Sequence, residues 1–231
     1  MINLRDKGAE LWEGWNRPKR IAFAILSILL ISFIPATSAQ ADKDGTKVKC
    51  RPTRASAEAP MKVTPPTAVL KRGPRLITIT TNCGTIAIQP YYKEAPVTLT
   101  ILTTLMKAGY YNKTLCHRLT TSPIYVLQCG DPTATGSGDP GFRYRDENLP
   151  AKGANNYPEG VVAMANNGPN TNGSQFFLVY DDTTLGPNYT IWGRIISGLE
   201  IVKYIASGGV KGGGADGTPN RVIAIERVDV R

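Results

Sequence analysis

The stretch MANNGPNTNGSQFF, residues 164–177, joins two apolar runs, VVAMA at residues 161–165 and QFFLV at residues 175–179. Its middle, NTNG, has the residue types of a turn, because Asn and Gly tolerate backbone conformations that other residues avoid. The flanking runs predict two short strands. Successive side chains of a strand point to opposite faces, so Phe176 and Phe177 are predicted to lie on opposite faces of the sheet, one of them in the core.

The rest of the pattern indicates many short strands and two helices. β-Branched residues alternate over residues 76–81 and again over 85–88, which predicts a hairpin. Apolar residues at helical spacing after Pro96 predict a helix that ends at Gly109. A second helix is predicted over residues 198–207, and further strands over residues 115–119, 124–128, 189–196 and 221–228. This mixture favours a mainly β domain with a closed antiparallel barrel.

The charge is concentrated near the amino terminus. Residues 1–76 contain 14 Lys/Arg and 6 Asp/Glu, a net charge of +8, whereas residues 77–231 contain 13 and 12, a net charge of +1. Nucleic acid would need a basic face on the folded part, so the nearly neutral remainder argues against it as a partner.

Residues 1–41 have the three parts of an export signal. The basic group RPKR at residues 17–20 precedes an apolar run over residues 21–34, and AQA at residues 39–41 fits a cleavage site. The run is short for a membrane span, but the small residues after it could lengthen it. We therefore expect either a cleaved signal peptide or a retained membrane anchor. In both cases the rest of the chain is expected outside the cytoplasm, secreted or anchored.

Residues 42–75 are polar, basic and dotted with proline, and they lack hydrophobic periodicity. We predict that they form a tether before a domain over residues 76–231. Two interpretations of the charge stay open: contact with an anionic membrane or cell wall, or a solvated linker.

The four cysteines are Cys50, Cys83, Cys116 and Cys129. Outside the cytoplasm they can form two disulfides, and the sequence allows three pairings. Since no two of them form a Cys-x-x-Cys pair, a thiol oxidoreductase is disfavoured.

Common catalytic arrangements are missing from the sequence. His117 is the single histidine, and GSQF at residues 173–176 lacks the second glycine of a nucleophile elbow. The glycines of residues 212–217 precede no Lys-Ser/Thr, so they are not a phosphate loop. Cys116, His117 and Cys129 are one ligand short of a structural zinc site. No metal and no cofactor are therefore predicted, and His117 is interpreted as a packed or hydrogen-bonded residue.

Three motifs together resemble the cyclophilin family. They are CHRL at residues 116–119, LQCGDP at 127–132 and the opening stretch at 164–177, in the family's order and spacing. The resemblance extends from about residue 76 to the last residue. The first two motifs are most similar to those of exported actinobacterial members. It implies an eight-stranded antiparallel barrel capped by two helices, with a groove for proline on the outer face.

The resemblance also implies the site. The catalytic pair falls on Arg118 and Gln128. The substrate-binding positions fall on Tyr125, Val126, Ala165, Asn166, Gln175, Phe177, Leu185 and Tyr189. The cysteines flanking Arg118 and Gln128 would lie on neighbouring strands, so we hypothesise a Cys116–Cys129 disulfide, which leaves Cys50–Cys83 as the second pair.

The implied function is peptidyl-prolyl cis-trans isomerisation, with Xaa-Pro segments of exported polypeptides as substrates and a monomer as the expected state. Three positions depart from the family: Thr184 stands where a tryptophan is common, Tyr189 where a histidine is common, and Asn167 where a small apolar residue is usual. Two alternatives remain. One is a non-catalytic module of the cell envelope that binds proline peptides or acts as a chaperone, and the other is an envelope adhesion protein that binds through its basic segment.

Overall fold

The structure is a computed structural model, and it describes residues 47–231. The predicted export segment, residues 1–41, and the first residues of the predicted tether lie outside the described residues. Within residues 47–231, no helix has both the length and the apolar character needed to cross a membrane.

The described chain is mainly β, with ten strands and two helices. In order they are β1 (Ile77–Thr81), β2 (Gly84–Pro90), α1 (Pro96–Lys107), β3 (Thr114–Leu115), β4 (Arg118–Thr120), β5 (Val126–Cys129), β6 (Val161–Met164), β7 (Phe176–Val179), β8 (Ile191–Ser197), α2 (Leu199–Ala206), β9 (Asp216–Gly217) and β10 (Ala224–Val230).

The strands form one curled sheet in the order β3-β10-β1-β2-β8-β6-β7-β5-β4-β9, and every pairing is antiparallel. The prediction of eight strands in a closed barrel is therefore wrong in two respects. The sheet has ten strands. Within the described residues its two end strands, β3 and β9, do not pair with each other, so the sheet is not closed. Both end strands are two residues long, so little unpaired backbone is exposed at the edges.

One predicted strand, residues 115–119, is divided in two. Its first part is β3, which pairs with β10, and its second part is β4, which pairs with β5 and β9. Only Cys116 and His117 separate the two parts, so the chain crosses here from one end of the sheet order almost to the other. A change of partner strand leaves no mark in hydrophobic alternation, which explains why the sequence shows one strand.

Helix α1 begins where the sequence predicts, and α2 begins one residue later than predicted, at Leu199. Pro96 is the first residue of α1, and the Glu147 carboxylate accepts the N–H groups of Val97 (3.2 Å) and Thr98 (2.8 Å). This carboxylate accepts hydrogen bonds from N–H groups that have no acceptor within the helix, because they belong to its first turn. Gly198 precedes α2 with φ of 90°, and a Cβ there would lie 2.3 Å from the carbonyl oxygen of Thr85. Only glycine fits that position.

Apolar side chains form two clusters on opposite faces of the sheet. The larger lies between the sheet and the helices and includes Phe176 and Trp192. The smaller consists of Val126, Tyr157, Val161, Ala163, Phe177 and Val179, with Ala165, Leu185, Tyr189 and Ile191 packed at its margin. A second cluster on the outer face supplies a firm floor for a surface groove.

Residues 47–75 have no regular secondary structure, yet they lie along the domain. A disulfide joins Cys50 to Cys83, and the N–H of Arg51 donates to the carbonyl oxygen of Asn82. Further along, the N–H of Glu58 donates to the carbonyl oxygen of Pro132, and the Tyr92 hydroxyl donates to that of Leu70. The described part of the predicted tether is thus held at several points.

Candidate active site

A groove of about 250 Å³ opens above the smaller apolar cluster. It is lined by Arg118, Ile124, Val126, Gln128, Gly136, Ala165, Asn166, Asn167, Phe177, Leu185 and Tyr189. Apolar side chains form one end and polar side chains the other, as expected of a site that holds an apolar group and orients a polar one.

The apolar end is built around Phe177. Its ring meets that of Tyr189 edge-on, with centroids 5.6 Å apart. Beneath them lies Tyr157, whose hydroxyl accepts the N–H of Tyr189 (3.0 Å) and donates to its carbonyl oxygen (3.1 Å). Phe176, next in the chain, points the other way and packs edge-on against Trp192, at 5.7 Å. The predicted division of the two phenylalanines is therefore observed.

The polar end is built around Arg118. Strand pairing places Arg118 directly opposite Gln128, and the Arg118 Nη1 donates to the Gln128 Oε1 at 3.0 Å. The two predicted catalytic residues are thus in contact, at the rim of the apolar floor.

A second partner of Arg118 was not foreseen from the sequence. The Asp216 carboxylate accepts the Arg118 Nε–H at Oδ1 and an Nη2–H at Oδ2, both at 2.7 Å. Asp216 is on β9, opposite Thr120 of β4, which puts it diagonally across from Arg118 on the same face. Its hydrogen bonds raise the pKa of Arg118, and Arg118 lowers the pKa of Asp216. Both groups are therefore charged at neutral pH.

The side-chain amide of Gln128 has its orientation set by a chain of hydrogen bonds. Gln175 Nε2 donates to the carbonyl oxygens of Gly136 (3.0 Å) and Gly138 (2.9 Å). Its Oε1 therefore faces Gln128 and accepts that residue's Nε2–H at 2.8 Å. This leaves the Gln128 Oε1 as the acceptor that faces Arg118.

The loop that carries these two carbonyls is wrapped around a buried carboxylate. Asp131 accepts N–H groups from Thr133 (2.8 Å), Gly136 (2.7 Å) and Gly138 (3.1 Å). Burial alone would raise the pKa of Asp131, but these hydrogen bonds together hold it below its usual value. A Cβ on Gly138 would lie 2.0 Å from the Asp131 Oδ1, so the loop can close this tightly only around glycine.

His117 is buried beside Arg118. Neither of its ring nitrogens has a hydrogen-bond partner among the described residues, contrary to one of the two interpretations from sequence. Burial lowers the pKa of His117, an effect that Asp131 opposes and Arg118 reinforces. The neutral ring therefore acts as packing beneath the polar end.

Both expected disulfides are present. Cys116–Cys129 has a Cα–Cα distance of 4.0 Å and closes a loop that contains Arg118 and Gln128. The other bond joins Cys50 to Cys83. No cluster of three or more metal-ligating side chains occurs within residues 47–231.

The sequence matches the family described as cyclophilin type peptidyl-prolyl cis-trans isomerase/CLD over residues 76–230. The chain belongs to this family. The predicted family and enzyme class are thereby confirmed, and the ten-stranded sheet is this cyclophilin's version of the fold.

Two bacterial relatives are named probable peptidyl-prolyl cis-trans isomerase B. That of Mycobacterium leprae is 40% identical over 211 residues, which are 85% of this chain and 69% of the relative. That of Mycobacterium tuberculosis (strain CDC 1551 / Oshkosh) is 40% identical over 197 residues, 80% of this chain and 64% of the relative. The match with the second relative thus spans somewhat less than two thirds of its length.

A solved cyclophilin type isomerase of Cryptosporidium parvum superimposes with a TM-score of 0.59 at 27% identity, covering 68% of this chain and 97% of the other. Another structure of that protein, determined in the presence of the dipeptide Ala-Pro, gives a TM-score of 0.58 at 26% identity.

The cyclophilin groove is lined by six of the eight expected binding residues; Tyr125 and Gln175 are the exceptions. Tyr125 does not line it, because its ring packs against Tyr180 (5.9 Å) beside a separate cleft, while the adjacent Val126 faces the groove. Tyr125 is therefore removed from the predicted site. Gln175 lies in the neighbouring polar pocket, which shares Gln128, Ala165 and Asn166 with the groove.

Sequence reasoning missed Asp216, Tyr157, Ile124 and the loop around Gly136. Asp216 had one usable signal, since it is the single acidic residue of the glycine-rich segment 208–217.

Proposed function

We propose that this domain accelerates cis–trans isomerisation of Xaa-Pro bonds in exported polypeptides, with Arg118 as the catalytic residue. The observation that carries the proposal is the position of the Arg118 guanidinium beside the apolar end of the groove, which is built around Phe177. A guanidinium has five N–H groups, and Asp216 and Gln128 engage three of them. Two N–H groups remain for a substrate.

The chemistry requires a donor at that place. An amide resists rotation because nitrogen shares its lone pair with the carbonyl, which gives a barrier of about 18–20 kcal/mol. In the twisted state the lone pair is localised on the prolyl nitrogen. A fixed N–H aimed at this nitrogen stabilises the twisted state more than either planar state, which is the condition for catalysis.

The apolar end supplies the other requirement, a fixed ring. A proline ring against Phe177, with Val126 and Leu185 beside it, would be held while the preceding carbonyl rotates. Lowering the half-time from about 10–100 s to about a millisecond needs roughly 5.5–7 kcal/mol. A charged donor combined with orientation is of the right size for this reduction.

Two disulfides in the described residues support the assignment of substrates to an oxidising, extracytoplasmic compartment. Cytoplasmic thiol systems keep such bonds reduced. The proposed substrates are therefore unfolded segments of exported proteins, which contain Xaa-Pro bonds in both isomers.

The charge of the basic segment, residues 47–75, supports the proposal that it contacts an anionic membrane surface. Eight exposed Lys and Arg residues and one acidic residue lie within residues 47–75. Replacing Lys62, Lys71, Arg72 and Arg75 by Gln in the full chain is expected to weaken sedimentation with phosphatidylglycerol vesicles and leave that with phosphatidylcholine vesicles unchanged. Equal sedimentation of variant and wild type would reject this contact.

A second candidate is a proline-peptide binding module without catalysis. Its support is the altered rim, where Thr184 is exposed and accepts the N–H of Asn155 (2.8 Å) in place of an aromatic contact. The contact between Arg118 and Gln128 favours the enzyme instead.

Exchange spectroscopy by NMR on a short Xaa-Pro peptide distinguishes the two. Wild type should accelerate exchange at catalytic concentrations, and Arg118→Ala should lower kcat/KM by about 10²- to 10³-fold, the usual effect of losing one preorganised donor. Arg227→Ala, which removes an exposed arginine from β10, should retain wild-type activity. Peptide binding without accelerated exchange would establish the binding module.

A further inference from the structure

We propose that Asp216 is a positioning residue for isomerisation: its carboxylate holds the Arg118 guanidinium in the plane that presents the two remaining N–H groups to the groove. The inference rests on the proposed function and deepens it.

The geometry of the pair is that of a clamp. Two parallel hydrogen bonds of 2.7 Å fix both the position and the plane of a guanidinium, whereas a single bond leaves it free to rotate. Gln128 adds a third bond from the opposite neighbouring strand. Arg118 is thus held from β9 on one side and from β5 on the other.

The clamp is itself attached to the sheet. The N–H of Thr121 donates to the carbonyl oxygen of Ala215 at 2.8 Å, and β9 pairs with β4 through Leu119 and Thr120. Asp216 therefore has a defined place despite the glycine-rich segment before it.

Stability alone does not explain this pair. The side chains of Arg118 and Asp216 are 40% and 54% exposed, and ion pairs exposed to that extent contribute little to folding. An arginine with so much freedom would otherwise occupy many rotamers, and only some would place a donor at the prolyl nitrogen. The benefit of the clamp is therefore expected in kcat.

The test compares Asp216→Asn with Asp229→Asn in the full chain. Asp229 forms the same kind of exposed pair with Arg227 (2.8 Å) on β10, so its substitution makes the same change in charge away from the groove. Asp216→Asn should lower kcat about tenfold with KM within about twofold, because the Phe177 pocket is unchanged. Asp229→Asn should leave both constants at wild-type values, and both variants should unfold within about 2 °C of wild type.

Solvent exchange of the Arg118 Nε–H, measured by NMR, tests the hydrogen bonds to Asp216 independently of catalysis. In the wild type the Arg118 Nε–H should be protected from solvent exchange, and Asp216→Asn should remove the protection. Loss of protection with wild-type kcat would overturn the inference while leaving the proposed function intact. If the wild-type protein does not accelerate cis–trans exchange of the peptide, the proposed function fails, and this inference fails with it. If the Arg118 Nε–H of the wild-type protein is not protected from solvent, only the inference about Asp216 is rejected.

Discussion

The two ends of the groove are built in different ways. The apolar end consists of Val126 on β5, Phe177 on β7 and Tyr189 in the loop before β8, which pack over the buried Tyr157. The polar end depends on side-chain hydrogen bonds, which join Arg118 to Asp216 and Gln128 to Gln175. Shape holds one end and directed hydrogen bonds hold the other. The polar end should therefore be the more sensitive to small displacements.

The largest expected effect comes from the covalent bond at the polar end. Replacing Cys116 and Cys129 by Ser should lower the free energy of unfolding by about 3 kcal/mol. Because Arg118 and Gln128 lie within the closed loop, kcat should fall as well. Urea unfolding and peptide exchange measure the two effects.

The other disulfide is the matched control. Replacing Cys50 and Cys83 by Ser opens a longer loop, with a sequence separation of 33 against 13, so it should cost at least as much stability. The kcat of the folded protein should stay at the wild-type value, because this bond lies outside the groove. An equal loss of kcat in both double variants would show that the bond near Arg118 has no special role.

The next effect concerns the apolar end. Phe177→Leu should raise KM about tenfold and leave kcat nearly unchanged, because the loss falls on ring binding in all states. Phe176→Leu makes the same change one residue earlier, in the core, and should reduce stability with KM unchanged. Unfolding curves and steady-state kinetics of both variants decide this. Equal KM values for the two would contradict the assignment of Phe177 to the groove.

The smallest effect is the pH dependence due to His117 beneath the polar end. Burial lowers its pKa in the folded protein, so the unfolded chain binds the proton more readily. Its contribution is fully present above the unfolded pKa of about 6.5 and is lost as the pH falls toward the folded pKa. His117→Phe should therefore lose less stability than wild type between pH 7 and pH 5 in urea unfolding. Identical losses would show that the pKa of His117 is not lowered in the folded protein.

A second contrast, between features local in the chain and contacts across the fold, explains what the sequence could predict. Alternation located the strands and separated Phe176 from Phe177, and three motifs placed Arg118 and Gln128 in one site. These features depend on residues close together in the chain. Asp216, the division of residues 115–119 between two strands, and the attachment of residues 47–75 each depend on contacts across the fold. The family resemblance implied eight strands in a closed barrel, and two-residue strands such as β3 and β9 carry no periodic signal that would have corrected it.

The central claim is that Arg118 acts on the twisted amide rather than on the bound peptide. NMR line-shape titration of one Xaa-Pro peptide gives both the Kd and the exchange rate on the protein, for wild type and for Arg118→Ala. We predict that the exchange rate falls by about 10²-fold or more while Kd changes less than about threefold. A loss of affinity that matches the loss of rate would contradict the claim, because Arg118 would then only bind substrate.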